Sequence, residues 1–178
     1  VDAANDMDDF SFKNKILPFS LTAIIIVIDQ ISKLLINGSL RIGEKIEILG
    51  DFLWLWHVRN RGMAFSLGSG LPEGIREILF LVLPIAVLLL LLIYYFKSRE
   101  IKGVQRWCFT AILGGGLGNL FDRFFRPEGV VDFISVKFYG FLGFERYPTF
   151  NVADSTVVIA GIIMVISYIS GQKGVRNE

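Results

Sequence analysis

Eighteen consecutive residues, LFLVLPIAVLLLLLIYYF from Leu79 to Phe96, carry no charge, and this run restricts the fold more than any other part of the chain. A helix crossing a bilayer needs ~20 mostly apolar residues. Counted from Ile75, the run reaches that length, with Pro84 placed to kink it. Three other segments approach it. The first runs from about Ile16 to Ile36, with Pro18 in its opening turn, where a missing amide is tolerated. Another, from about Val104 to Phe121, is short and rich in glycine, and the last covers about Ala153 to Ser170. Lipid offers backbone amides no partners, so runs this long predict helices rather than barrel strands. Composition agrees, since 53% hydrophobic residues and a mean hydropathy of +0.56 are high beside the ~45–50% apolar share of soluble domains. The predicted fold is an α-helical membrane protein of four transmembrane helices, with a small extracytoplasmic β-sheet and an interfacial loop.

The domain layout follows. Residues 1–12 read as an acidic, unpatterned tail or a remnant of expression, 13–172 as a single four-helix membrane domain, and 173–178 as a cytoplasmic tail. The first apolar run does not read as a removable signal, because it is long, contains Asp29 and Lys33, and has no small-residue cleavage site after it. A net charge of +1, with basic residues scattered between apolar runs, argues against nucleic-acid binding. The single cysteine, Cys108, cannot form an internal disulfide.

Cytoplasmic ends of membrane helices are enriched in Lys and Arg. Lys13 and Lys15 precede the first span, Lys97, Arg99, Lys102 and Arg106 crowd the short second connection, and Lys173 and Arg176 follow the last. Both termini are therefore expected in the cytoplasm, and the long connections 37–74 and 123–151 outside, although these also carry arginines and lysines. The first outer connection, IEILGDFLWLWHVRNRGMAFSLG, reads as strands around a Gly50-Asp51 turn, with Trp54 and Trp56 suited to the headgroup region. The second contains VVDFISVKFYGFLGF, another β-prone run, whose Phe138, Phe141 and Phe144 are suited to lipid.

Carboxylates at the edge of membrane segments are costly and usually functional. Asp132 lies in an apolar stretch after the third span, and Asp154 sits where the fourth begins. Brought together in a partly dry site, two such acids cannot both ionise cheaply, so they share a proton near neutral pH. That suits an aspartic peptidase, in which the ionised acid activates water and the protonated one supports the oxyanion. The bland alternative has Asp154 capping the fourth helix and Asp132 paired with an outer arginine.

Five blocks bring a resemblance into view: Asp29-Gln30-Ile31-Ser32-Lys33, Asn60-Arg61-Gly62-Met63-Ala64-Phe65-Ser66, Gly118-Asn119-Leu120-Phe121-Asp122-Arg123, Val130-Val131-Asp132-Phe133 and Phe150-Asn151-Val152-Ala153-Asp154-Ser155. In this order they resemble the motif blocks of bacterial lipoprotein signal peptidases, or signal peptidase II. One block alone is weak, but five in sequence are specific. The resemblance implies that Asp132 and Asp154 are the catalytic pair of an aspartic endopeptidase without a cofactor. Its substrate would be a diacylglyceryl-modified prolipoprotein, cut just before the lipidated cysteine. It further implies a monomer in the bacterial inner membrane, an active site near the outer face, contact with membrane lipid, and inhibition by cyclic peptides of the globomycin type. By the same resemblance Asn60, Gly62, Asn119, Arg123 and Asn151 bind substrate or support the dyad.

Other polar groups have plainer readings. Asp29 and Lys33 stand four apart, a spacing that allows an ion pair pinning the first helix near its outer end. Asp122 reads as structural, and Arg123 either contacts substrate or snorkels from the third span. Gly114 and Gly118 form a small-xxx-small pattern for close helix contact. His57 lacks partners at metal spacing, so no metal is expected. Cys108 reads as a buried hydrophobe, and Ser66 and Ser155 have no nearby histidine for a triad. Two other functions compete: a transporter using the acids as an ion path, and a lipid-binding assembly factor using the aromatic loops.

Overall fold

The structure, a computed structural model, describes residues 12–62, 70–101 and 103–175. Most of the N-terminal tail, Met63 to Ser66 of the second motif block, Lys102 and Arg176 fall outside these residues, as does the Lys173 side chain.

The chain begins with a short helix α1 (Phe12–Ile16), and Pro18 then opens α2 (Phe19–Ser39). A hairpin of β1 (Lys45–Leu49) and β2 (Leu53–Asn60) follows. The next helical stretch comprises α3 (Glu73–Glu77), a π-helical turn (Ile78–Val82) and α4 (Leu83–Lys97). Pro84 has no N–H to give to a regular ladder, and the wide turn immediately before it, in which Leu83 N–H donates to Ile78 O, absorbs the defect. The chain ends with α5 (Val104–Phe125), β3 (Val130–Val136) and α6 (Val152–Val175).

Among the described residues, three helical stretches are long and apolar enough to cross a membrane: Phe12–Ser39, Ile78–Lys97 and Val152–Ser170. The expected fourth, α5, is longer than the sequence suggests at 22 residues, yet it carries Arg106, Asp122 and Arg123 and is diluted by glycines. Its position explains this composition. It packs against α2, α4 and α6, with Cys108, Phe109, Thr110, Ala111 and Leu113 buried, so it needs little apolar surface of its own. Glycines permit the close approach. A Cβ on Gly115 would lie 2.5 Å from the Ala153 carbonyl oxygen, and one on Gly118 would lie 2.8 Å from Asp29 Oδ2.

The two β-prone connections, read separately from sequence, join in one antiparallel sheet of order β1-β2-β3. In the β2–β3 register Val58 faces Asp132 and Asn60 faces Val130, with an irregularity between Leu55 and Val58. Ile36 and Leu40 at the end of α2 form an apolar cluster with Val131 and Phe133, onto which Leu55, Ile134 and Val152 pack. Side chains alternate along a strand. Burying Val131 and Phe133 against α2 therefore sends the intervening Asp132 to the other face, over the helix bundle. At the opposite end of the bundle Lys15 Nζ donates to Phe96 O at 2.9 Å and Tyr95 OH donates to Lys15 O at 2.7 Å.

Candidate active site

Asp132 on β3 and Asp154 in the first turn of α6 line the same cavity, of about 520 Å³. Asn60, Gly62, Asn119 and Arg123 also line it, and its apolar wall includes Val136, Phe138, Tyr147, Phe150, Val158 and Ile159. Phe138, assigned to lipid on sequence grounds, is thus part of the cavity.

The asparagines hold the acids. Asn60 Nδ2 donates to Asp132 Oδ2 at 2.9 Å, and Asn151 Nδ2 donates to Asp132 Oδ1 at 2.8 Å. Asn119 Nδ2 donates to Asp154 Oδ1 at 2.7 Å, while Asn119 Oδ1 accepts from Asn151 Nδ2 at 3.0 Å. Asn151 is also half of a capping box: its Oδ1 accepts the Asp154 N–H at 2.9 Å, and Asp154 Oδ2 accepts the Asn151 N–H at 3.1 Å. Asn151 is thus the helix cap that one sequence reading assigned to Asp154, while Asp154 completes the box from the first turn and faces the cavity. Asp132 accepts from amides rather than from an outer arginine. Gly62 N–H donates to Asn60 Oδ1 at 3.0 Å, and Arg123 reaches Gly62 O at 3.3 Å with its guanidinium 5.3 Å from the Phe80 ring centre.

Asp132 is 2% exposed. Burial pushes its carboxyl up to about 7, and the charge of Asp154 adds to the rise, against the pull of the Asn60 and Asn151 amides and of Lys33.

Beneath the acids lies a buried ionic network. Lys33 Nζ sits 2.8 Å from Asp29 Oδ2 and 3.0 Å from Asp122 Oδ2, and donates to Asn119 Oδ1 at 3.0 Å. Its three protons thus meet three acceptors. All three charged side chains are fully buried, and Arg126 supplies the second positive charge through its ion pair with Asp122. Both acids of this network grip backbone beside the cavity: Asp29 Oδ1 accepts the Ala153 N–H and Asp122 Oδ2 the Val131 N–H, each at 3.0 Å. The sequence placed the Asp29–Lys33 pair near the outer end of the first helix. In fact α2 continues to Ser39, and the pair lies inside the bundle, Asp29 about 15 Å short of the helix end at 1.5 Å per residue.

Two polar partners escaped sequence reading. Gln30 Nε2 lies within 3.1 Å of Asp29 Oδ2, Gly118 O and Asp122 Oδ1. Arg126 stands four residues after Asp122 on one helix, a spacing that signals an ion pair. Of the demoted residues, His57 is buried with Nδ1 2.9 Å from Leu40 O, away from the acids. Ser155 lines the cavity but donates its hydroxyl to Asn151 O at 2.8 Å, and Cys108 is core.

Known proteins match this chain over most of its length. A family model described as signal peptidase (SPase) II matches residues 21–170. The chain is 52% identical over 157 residues to the lipoprotein signal peptidase of Treponema denticola, covering 88% of this chain and 91% of that protein. It is 40% identical over 167 residues to the lipoprotein signal peptidase of Treponema pallidum, covering 93% and 90% respectively. A solved structure described as a bacterial membrane enzyme, determined by the in meso method at 2.3 Å, superposes with a TM-score of 0.73 at 26% identity over 92% of each chain. The chain belongs to the signal peptidase II family of lipoprotein signal peptidases.

Proposed function

We propose that this membrane peptidase is an aspartic endopeptidase that removes signal peptides from diacylglyceryl-modified prolipoproteins by cutting just before the lipidated cysteine. The observation that carries this reading is the presence of Asp132 and Asp154 in one cavity, bridged by Asn151 and Asn119. With its carboxyl raised to about 7, Asp132 is suited to hold the shared proton. Asp154 accepts an amide N–H from Asn119 and the Asn151 backbone N–H at the start of α6, which fix the orientation of its carboxyl in the cavity. In this assignment Asp154 takes a proton from water, the resulting hydroxide attacks the peptide carbonyl, and Asp132 donates its proton to the developing oxyanion. As the tetrahedral gem-diol collapses and its C–N bond breaks, Asp154 passes its proton to the leaving nitrogen and Asp132 takes back a hydroxyl proton, which restores both acids. Asn60, Gly62, Asn119, Arg123 and Asn151 orient the acids and the substrate backbone.

The apolar wall suits a lipidated substrate, whose acyl chains stay in the bilayer while the scissile bond enters the cavity. We assign α5 as the fourth span within a single domain covering 13–172. The basic residues at the end opposite Asp132 favour cytoplasmic termini, with the cavity near the outer face of the bacterial inner membrane. The enzyme acts as a monomer, needs no cofactor, and is blocked by cyclic peptides of the globomycin type. The test is cleavage of a diacylglyceryl-modified precursor beside its unmodified form, with products identified by mass spectrometry. Cleavage of the lipidated form before its cysteine is expected; no cleavage of it, or equal cleavage of both, overturns the reading.

A further inference from the structure

Outside the motif blocks, one charged cluster touches the cavity from behind. After β3 the chain turns back on itself: Lys137 bridges to Arg146, Phe138 N–H donates to Glu145 O at 2.8 Å, and Tyr147 N–H donates to Val136 O at 2.9 Å. Phe138 and Tyr147, with ring centres 5.1 Å apart, form part of the cavity wall. Their neighbours Lys137 and Arg146 both reach Asp51, at the turn of the β1–β2 hairpin. Lys137 forms an ion pair with it, and Arg146 Nη2 lies 2.8 Å from its Oδ1. The other guanidinium nitrogen donates to Ser135 Oγ at 3.2 Å. The guanidinium carbon lies 3.1 Å from the Trp54 ring centre, while Lys45 Nζ lies 3.4 Å from the same centre. Two cations this close to one ring must take opposite faces. Asp51 responds to its partners, the hydrogen bonds from Lys137 and Arg146 holding its carboxyl below the ordinary range.

We propose that Arg146 is a positioning residue for substrate binding: clasped by Asp51, Ser135 and Trp54, it holds the Phe138–Tyr147 wall in the shape that grips the lipidated precursor. The inference rests on the proposed function. Exposed ion pairs contribute little to global stability. What this one fixes is the segment between β3 and α6. Asp132 precedes that segment and Asp154 follows it on separately braced elements, so releasing the clasp loosens the wall without moving the acids. Ordering the wall then falls to substrate binding.

The experiment measures KM and kcat for a diacylglyceryl-modified precursor with wild type, Asp51→Asn, Arg146→Lys, Arg146→Ala and the Asp51→Ala/Arg146→Ala double variant, each checked by thermal unfolding. Asp51→Asn and Arg146→Ala are expected to raise KM about three- to tenfold with kcat unchanged, the cost of ordering one or two side chains. Arg146→Lys keeps the charge but loses the planar fork, and falls between. The double variant shows little more effect than either single one, because both break the same contact. Raising salt toward ~1 M, where the screening length is ~3 Å, raises the wild-type KM and leaves that of Asp51→Asn flat. Wild-type KM in folded Asp51→Asn and Arg146→Ala overturns the clasp while leaving the proposed function intact, and so does a fall in kcat that matches the fall in kcat/KM. A wild type that fails to cleave the lipidated precursor overturns both.

Discussion

Asn151 Nδ2 donates to Asn119 Oδ1 at 3.0 Å, and this one bond joins two carboxylates carried on different elements. The same nitrogen holds Asp132, and the other end of the Asn119 amide holds Asp154. Asn119→Ala removes this bond and the side-chain donor to Asp154 together, leaving Asp154 only the Asn151 backbone N–H. Hydrogen bonds to charged groups contribute about 1.5–3 kcal/mol, so kcat is expected to fall about 10- to 100-fold with KM little changed. Steady-state kinetics on a lipidated precursor checks this; a KM effect alone would place Asn119 in substrate binding instead.

Lys33 is the cation between Asp29 and Asp122, with no exposed surface. Lys33→Met strands Asp29 in the bundle and leaves Asp122 with Arg126 alone, and breaking such a buried set costs about 3–5 kcal/mol. The melting temperature in detergent should drop sharply. A melting temperature equal to that of wild type would mean that water or another cation replaces the ammonium.

The raised Asp132 carboxyl fixes the sign of two pH effects. Its ordinary value is ~3.9, so the folded protein binds this proton more tightly than the unfolded chain does. Stability contributed by the protonated group is therefore present at acid pH and is lost as pH rises toward about 7. Asp132→Asn removes that loss, so its melting temperature relative to wild type should climb between about pH 4 and about pH 7. A constant difference would show that the carboxyl titrates normally. Activity of the wild type should fall on the alkaline side as the pair loses its shared proton near pH 7, and again in acid once both carboxyls are protonated. A flat profile argues against a shared proton.

Gly115 packs where no side chain fits, its would-be Cβ 2.5 Å from Ala153 O. Gly115→Ala pushes α6 away from α5 at the turn that carries Asp154. Overpacking of this kind costs about 1–3 kcal/mol, and kcat should fall along with the melting temperature. Full activity would mean that the helices part without disturbing the acids.

Much of this arrangement was legible in residues taken one at a time. The apolar runs marked all four long helices, and the ordered motif blocks marked the polar residues around the cavity. Long-range pairing was not legible. Nothing in the local pattern of VVDFISV says that it extends the hairpin containing Trp54, because strand partners are selected by the tertiary fold. Asp29 and Lys33 read as an end-of-helix pair because their spacing is local, whereas the other partners of Lys33, Asp122 and Asn119, lie 89 and 86 positions further along. The clasp at Asp51 escaped for the same reason, since 86 and 95 positions separate it from Lys137 and Arg146.

The most direct test of the account is turnover of a diacylglyceryl-modified precursor by purified Asp132→Asn and Asp154→Asn, each shown to be folded. Both substitutions keep the shape of the side chain and remove its ability to exchange a proton. Each variant should lose activity on the order of 10²–10⁴-fold, the contribution of a positioned acid or base. Turnover close to that of wild type by either one would contradict the shared-proton pair.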